Sequence, residues 1–464
     1  MVFSSITFMY YFLPIVLLIY FIVPSKFKNL VLLLSSLAFY FYGEPTYIWV
    51  LLLSCFINYI SALLIDKYRK KSKLILILAV IFNLGMLMYF KYTNFFIDNI
   101  NNLFKLDINS IKVIMPIGIS FFTFQTLSYV IDVYTKKVKA NKNFITFASY
   151  VSLFPQLIAG PIVRYSDIEK ELKNRTHSSD NFALGIRRFT IGLGKKVLIA
   201  NVMGEMVNIL NTMNNQSVLT YILIAIGFTL QIYFDFSGYS DMAIGLGKML
   251  GFNFLENFNY PFIANSITDF WRRWHISLSS FLRDYVYIPL GGNRVSILKH
   301  IRNIFVVWFL TGFWHGAAWN FIIWGLYFGL ILTIEKYFYS EFLKKHKVFA
   351  HIYTMILVII SFVIFNANSF TEVITFMKNM FGFNKLPFIN PETIYYLKSY
   401  LLIIIISIIA STPLLKNVCI KLKEKEKFTK VMDILEIVFI FIILILVTAF
   451  LIDSSFNPFL YFRF

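Results

Sequence analysis

The chain has 464 residues, of which 58% are hydrophobic, 19% aromatic and only 14% charged. Soluble domains carry about 25% charged residues, and a core grows too slowly with chain length to hide this much apolar surface from water, so a soluble globular protein is excluded. The 43 Lys and Arg outnumber the 24 Asp and Glu by +19, but the basic residues sit between apolar runs, with no stripe of interleaved stacking aromatics, which sets aside nucleic-acid binding.

The apolar runs predict membrane spans. In chain order they are Ile6–Val23, Tyr47–Leu64, Leu74–Phe90, Val113–Val130, Val218–Phe234, Ala317–Ile334, Phe349–Phe365, Tyr395–Ile409 and Ile437–Ile452. Leu30–Tyr42, Phe144–Ile162, Phe189–Leu210 and Ile301–Phe313 are shorter or interrupted. Thirteen helical residues cover only about 20 Å of a hydrocarbon core roughly 30 Å thick. Some of these pieces are therefore short, re-entrant or buried in the bundle, where irregular backbone is tolerated against protein or a water-filled cavity. The expectation is an all-α polytopic bundle of about eleven spans. The first charge is Lys26 and no small-residue cleavage pattern follows the first run, so Ile6–Val23 reads as a retained span. The basic loops Ser25–Lys28, Asp66–Lys73 and Lys136–Asn143 are expected on the cytoplasmic side. No repeat or soluble segment stands out, and residues 1–464 read as a single membrane domain. Cys55 and Cys419 read as small buried hydrophobes, and no cluster has the spacing of a metal site.

The stretch from Gln231 to Asn320 departs from a simple bundle. It is aromatic, yet it carries Asp235, Asp241, Asp269, Arg272, Arg273, His275, Arg283, Asp284, Arg294, Arg302 and His315. Ionisable groups at membrane depth cost at least ~2.5 kcal/mol each and persist when paired or when they line a functional cavity. Ser266–Tyr285 predicts one amphipathic helix, with Ser266 as N-cap and Asp269 in the first turn. Arg272, His275, Ser279 and Arg283 would share one face of it. Such a stripe either lies on anionic lipid or faces an anionic ligand such as a donor phosphate.

His315 follows in Phe313-Trp314-His315-Gly316-Ala317-Ala318-Trp319-Asn320. A histidine among apolar residues is ordinarily a satisfied core residue, but in a membrane the balance moves toward function. Desolvation leaves its imidazole neutral at pH 7 and able to act as a general base. Gly316, Ala317 and Ala318 leave room beside it for a substrate chain. His177, His300, His346 and His351 read as structural or solvated. There is no G-x-S-x-G elbow and no phosphate-loop spacing around Gly192 and Gly194.

On these residues the chain resembles the membrane-bound O-acyltransferase superfamily, and within it the alginate O-acetylation branch. The resemblance runs through MVFSSITFMYYFLP at Met1, FYFYGEPTY around Gly43, MPIGISFFTFQTLSYVIDVY from Met115 and LFPQLIAGPIVRY from Leu153. It continues in FDFSGYSDMAIGLGKMLGFNFLENFNYPF from Phe234, DFWRRWHISLSSFLRDYVYIPLGGNR from Asp269 and LTGFWHGAAWNFIIWG from Leu310, and closes with NPFLYFRF. Long motifs in this order are far more specific than a single glycine pattern.

The resemblance implies a bundle with re-entrant helices around a central tunnel, the superfamily histidine at His315 and the second family histidine at His275. It implies a cytoplasmic thioester donor as co-substrate, either acetyl-CoA or a carrier-protein thioester, with no bound cofactor and no metal. It also implies an extracytoplasmic acetyl-transferring partner protein, a polysaccharide acceptor, and residence in the bacterial cytoplasmic membrane. His315 is expected as general base and His275 as a positioning group, with Arg272 and Arg283 facing donor phosphates and Asn320, Asp235 and Asp241 supporting them. Two alternatives stay open from the sequence: D-alanyl transfer to teichoic acid by the same fold, and a transporter that moves an acyl donor without chemistry, since broken spans with intramembrane charges also mark transporters.

Overall fold

The computed structural model describes residues 1–453, so the closing NPFLYFRF motif lies outside the described residues. The described elements are all helical. Seven helices are long and apolar enough to cross a membrane: Ile48–Lys67, Arg69–Phe104, Val218–Met249, Trp319–Lys345, Lys347–Asn366, Pro391–Ala410 and Lys427–Asp453. The shorter apolar helix Phe8–Ile22 joins them, as do Lys28–Gly43, Ile119–Tyr134 and Ile297–His315. The chain is a polytopic helical membrane protein. It divides into two compact units, Met1–Phe189 with Asp241–Leu255, and Thr190–Ser240 with Glu256–Phe464.

Burial separates lipid-facing helices from enclosed ones. Only 11% of the apolar window of Lys427–Asp453 and 17% of that of Pro391–Ala410 is covered by protein. Their Leu, Ile and Phe side chains point outward, which lipid favours and water would not. Val218–Met249 is 78% covered. It can therefore carry charged residues through its length without presenting them to hydrocarbon.

In the first unit the helix Ile119–Tyr134 is almost wholly buried. Its Thr126 hydroxyl donates to Asn83 Oδ1 at 3.0 Å, and the Asn58 and Asn83 amides donate to each other at 3.0 and 2.7 Å. Interhelical amide bonds of this kind knit helices where lipid removes the hydrophobic drive to associate. The expected span Val113–Val130 begins six residues late, at Ile119. Pro116 cannot continue the hydrogen-bond ladder. Gly118 stands at φ +75°, and a Cβ there would lie 2.6 Å from the Leu157 carbonyl oxygen. Only glycine meets both demands. The expected Leu74–Phe90 span is longer than its apolar core and runs on to Phe104. Cys419 is exposed on Leu414–Lys423, and only Cys55 is the buried thiol expected of both.

The second unit contains a tight helical hairpin, Ile297–His315 against Trp319–Lys345. A Cβ on Gly312 would meet the Phe321 carbonyl oxygen at 2.2 Å, and one on Gly325 would meet the Trp308 oxygen at the same distance. The two glycines let the backbones touch, as small residues do where membrane helices cross closely. The turn between the helices holds Gly316 and Ala318 in extended conformation, so the last residue of the first helix, His315, sits at the hairpin tip.

Candidate active site

The predicted helix Ser266–Tyr285 is not continuous. Ser266 does cap it, accepting from the Asp269 N–H at 2.9 Å, but the helix runs only from Ile267 to Arg273. A second short helix covers Ile276–Leu282, and a π-turn follows at Arg283–Tyr287. The break falls on His275, which holds φ +45° and ψ +52°. A left-handed histidine is uncommon and costs about 1–2 kcal/mol. Local order of this kind persists only where surroundings over-determine it.

Three sets of contacts do so. Glu335, buried on the facing hairpin helix, accepts from the Ile267 and Thr268 N–H groups at 2.7 and 3.1 Å and from the Thr268 hydroxyl at 3.2 Å. It satisfies the first turn of the short helix, where backbone donors have no helical partner. Trp274 lies in an aromatic nest, with ring centroids 5.5 Å from Phe270, 5.1 Å from Phe258 and 5.2 Å from Phe362. Asn257 then pins the break itself. Its backbone oxygen takes the Ile276 N–H at 3.0 Å. Its side-chain Oδ1 accepts from the Ser277 N–H at 3.2 Å and the Ser277 hydroxyl at 2.9 Å, while its Nδ2 donates to Ser240 at 3.1 Å.

That network fixes the state of His275. The ring is fully buried, and its Nδ1 lies 3.2 Å from Asn257 Oδ1. Burial pushes the imidazole well below its ordinary pKa, because desolvation disfavours the charged form. The ring is therefore neutral with one proton. Oδ1 already accepts from a backbone N–H, so it acts as the acceptor here too, and the proton is on Nδ1. The lone pair is then on Nε2, which is buried with no hydrogen-bond partner among the described residues. A buried acceptor left open in this way carries a free-energy cost of about 1–3 kcal/mol unless another molecule fills it.

Trp314 connects this histidine to the hairpin tip. The His275 ring lies 6.1 Å from that of Trp314, and the His315 ring lies 5.0 Å from it. His315 is 6% exposed. Trp324 and Phe365 meet its ring edge to face at 5.0 and 5.3 Å, which sets its plane. Asn320, at the start of the next helix, donates to the Phe365 and Ala367 carbonyls at 3.3 and 2.7 Å. It ties the Phe365 wall of the histidine box to the hairpin, and its Oδ1 is buried without a partner among the described residues.

The other expected residues are exposed or held in ion pairs. With the helix broken, Arg272, His275 and Arg283 no longer form one stripe. Arg272 is exposed, and Arg283 is exposed with its Nε donating to Asp284 at 2.7 Å. Asp235 is buried in an ion pair with Lys196, Nζ to Oδ1 at 2.6 Å, both side chains under 5% exposed. Lys196 lies on the π-turn Lys195–Ala200, and Gly238 lets the two helices approach, since a Cβ there would lie 2.7 Å from the Gly192 oxygen. Asp241 belongs to the first unit, where Arg188 holds it with two donors at 3.0 and 2.7 Å. Asn257, Glu335, Trp314 and Phe365 were not singled out from the sequence. Asn257 lies in an aperiodic loop 18 residues before His275, and no local signal marks it.

A family model described as MBOAT, membrane-bound O-acyltransferase family, matches residues 37–374. The probable alginate O-acetylase AlgI of Pseudomonas aeruginosa is 42% identical over 395 residues, covering 82% of this chain and 75% of that protein. The peptidoglycan O-acetyltransferase of Helicobacter pylori is 37% identical and covers 83% of this chain and 80% of that protein. The teichoic acid D-alanyltransferase of Bacillus subtilis is 31% identical over 251 residues, 51% of this chain and 62% of that protein.

Proposed function

The chain belongs to the membrane-bound O-acyltransferase family, and from that premise we propose that it moves an acetyl group from a cytoplasmic thioester, acetyl-CoA, to an acceptor that O-acetylates an extracytoplasmic polysaccharide. The acetyl reading is supported by extent: relatives named for O-acetylation match across four fifths of this chain, and the relative named for D-alanyl transfer across half. Membership of an acyltransferase family also weighs against transport without chemistry. The bacterial cytoplasmic membrane, an extracytoplasmic partner protein and one working membrane domain formed by both units complete the proposal.

Thioester acyl transfer needs a base beside the attacking hydroxyl and donors for the developing oxyanion. His315 is the general base. Trp324 and Phe365 hold its ring in place, and its imidazole takes the hydroxyl proton. The hydroxyl oxygen then attacks the thioester carbon, the carbon–sulfur bond breaks, and the proton passes to the leaving thiolate. His275, with its lone pair fixed on Nε2, accepts a hydrogen bond from donor or acceptor and orients it. The observation that carries the reading is the open, buried Nε2 of His275 beside Trp314, which itself flanks His315. Arg272 and Arg283, being exposed, serve this scheme only as outer contacts for donor phosphates.

The test is turnover of radiolabelled acetyl-CoA by the purified chain with its membrane and acceptor fractions. Label appearing in polysaccharide with wild type and not with His315→Ala supports the proposal. Label transferred equally by both rules out His315, and D-alanine transferred from a carrier-protein thioester in place of acetate establishes the D-alanyl alternative.

A further inference from the structure

The first unit gathers three basic side chains in one place. Lys28, Arg175 and His177 come together at the end of the apolar helix Phe8–Ile22, and none of the three forms an ion pair with an acidic side chain among the described residues. The positive groups are held by aromatic faces and an amide. Lys28 Nζ lies 4.8 Å from the Tyr20 ring centroid and 5.5 Å from that of Phe21. The Arg175 guanidinium lies 4.8 Å from Phe252 and 5.7 Å from Tyr20. One Arg175 nitrogen donates to Asn29 Oδ1 at 2.6 Å, and Asn29 is itself tied to the Leu172 carbonyl at 3.0 Å. The other, Nη1, is buried without a partner among the described residues. His177 Nε2 lies 3.4 Å from the Tyr20 hydroxyl.

This is a built arrangement rather than a solvated basic loop. Gly251 stands at φ +84°, and a Cβ there would sit 2.8 Å from the His177 ring, so the chain makes room for the imidazole. The neighbouring helix Lys28–Gly43 has no side-chain cap and no acidic residue in its first turn, which leaves its positive end uncompensated. The cations oppose one another. Burial, and then Lys28 and Arg175 beside it, holds His177 below its ordinary pKa. Repulsion of this kind is relieved by an anion. Exposed Phe21 borders the cluster, its ring 5.4 Å from that of His177 and 5.5 Å from Lys28 Nζ, so apolar surface adjoins the positive groups.

We propose that Lys28, Arg175 and His177 form a binding site for a phosphate group, with the open Nη1 donor of Arg175, the charge of Lys28 and an imidazole N–H of His177. The apolar rim favours the phosphodiester of an anionic phospholipid; a soluble phosphate is the other source of the same chemistry. The site is independent of the acyl-transfer reading.

The experiment uses the full chain in nanodiscs and compares phosphatidylglycerol with phosphatidylcholine, and separately adds millimolar inorganic phosphate in neutral detergent. Thermal stability and the phospholipid retained in native mass spectrometry are the readouts. The variants are Lys28→Gln with Arg175→Gln, and Lys28→Glu. Each lost charge is expected to reduce phosphatidylglycerol retention about five-fold. Lys28→Glu supplies an internal counter-ion to Arg175, so it should be at least as stable as wild type in neutral detergent and yet lose the phosphatidylglycerol effect. That separates loss of a site from loss of fold. Stabilisation of wild type by inorganic phosphate alone, absent in Lys28→Glu, upholds the site with a soluble ligand. Equal responses of wild type and Lys28→Glu to both anions overturn it.

Discussion

Asn257 Oδ1 lies 3.2 Å from His275 Nδ1 while accepting the Ser277 N–H at the same distance. One side chain thus fixes the backbone break and the tautomer of the histidine placed there. Asn257→Asp keeps the shape and changes the charge. The carboxylate stabilises the imidazolium and raises its pKa, so Nε2 takes a proton and loses its lone pair at a higher pH than in wild type. The acid limb of the pH–rate profile should therefore move to the alkaline side. An unmoved profile with a uniformly lower rate would show that Asn257 only supports the fold.

Replacing His315 by Ala removes the proposed base. Acyl transfer should drop by about 10²–10⁴-fold, with the protein still inserted and present at normal level in membranes. Surface acetyl content measured beside membrane abundance checks this, and retained acetylation in His315→Ala removes the residue from the mechanism.

The hairpin depends on Gly312 and Gly325. Alanine at either position places a methyl 2.2 Å from a carbonyl oxygen of the opposing helix. Overpacking of this kind costs about 1–3 kcal/mol, more than the up to ~1 kcal/mol alanine gains over glycine in helix propensity. Gly325→Ala should lower the melting temperature in detergent and also reduce activity, because His315 rides on the hairpin tip. An unchanged melting temperature would mean that the helices do not pack this closely.

Lys196 and Asp235 make a charge pair at 2.6 Å that is almost wholly enclosed. Asp235→Asn should destabilise by about 3–5 kcal/mol, the usual consequence of breaking a buried pair. The double change Asp235→Asn with Lys196→Met should recover most of that loss, since an apolar or neutral replacement of a buried pair is often nearly neutral. A melting-temperature cycle over the two singles and the double decides it, and simple additivity would show that the pair is not coupled.

Much of the architecture was legible. Run length located Tyr47–Leu64, Phe349–Phe365 and Tyr395–Ile409 to within a few residues of helices Ile48–Lys67, Lys347–Asn366 and Pro391–Ala410, because lipid demands apolar residues over a fixed length. The errors came where one residue overrides periodicity. Gly118 delays a helix that Val113–Val130 predicted, and His275 interrupts one that Ser266–Tyr285 predicted.

Composition, run length and motif order by themselves determined a polytopic membrane protein of an acyltransferase family, since each is a property of the chain read locally and summed. Tertiary structure alone decided how the two histidines are presented. The left-handed backbone of His275 is paid for by Asn257, Glu335 and the Trp274 nest, and its neighbour at the hairpin tip is boxed by Trp324 and Phe365. Asn257, Glu335, Trp324 and Phe365 lie from 9 to 60 residues from the histidine each one contacts or supports, and contacts between such distant groups leave no period in the chain for a reader to find.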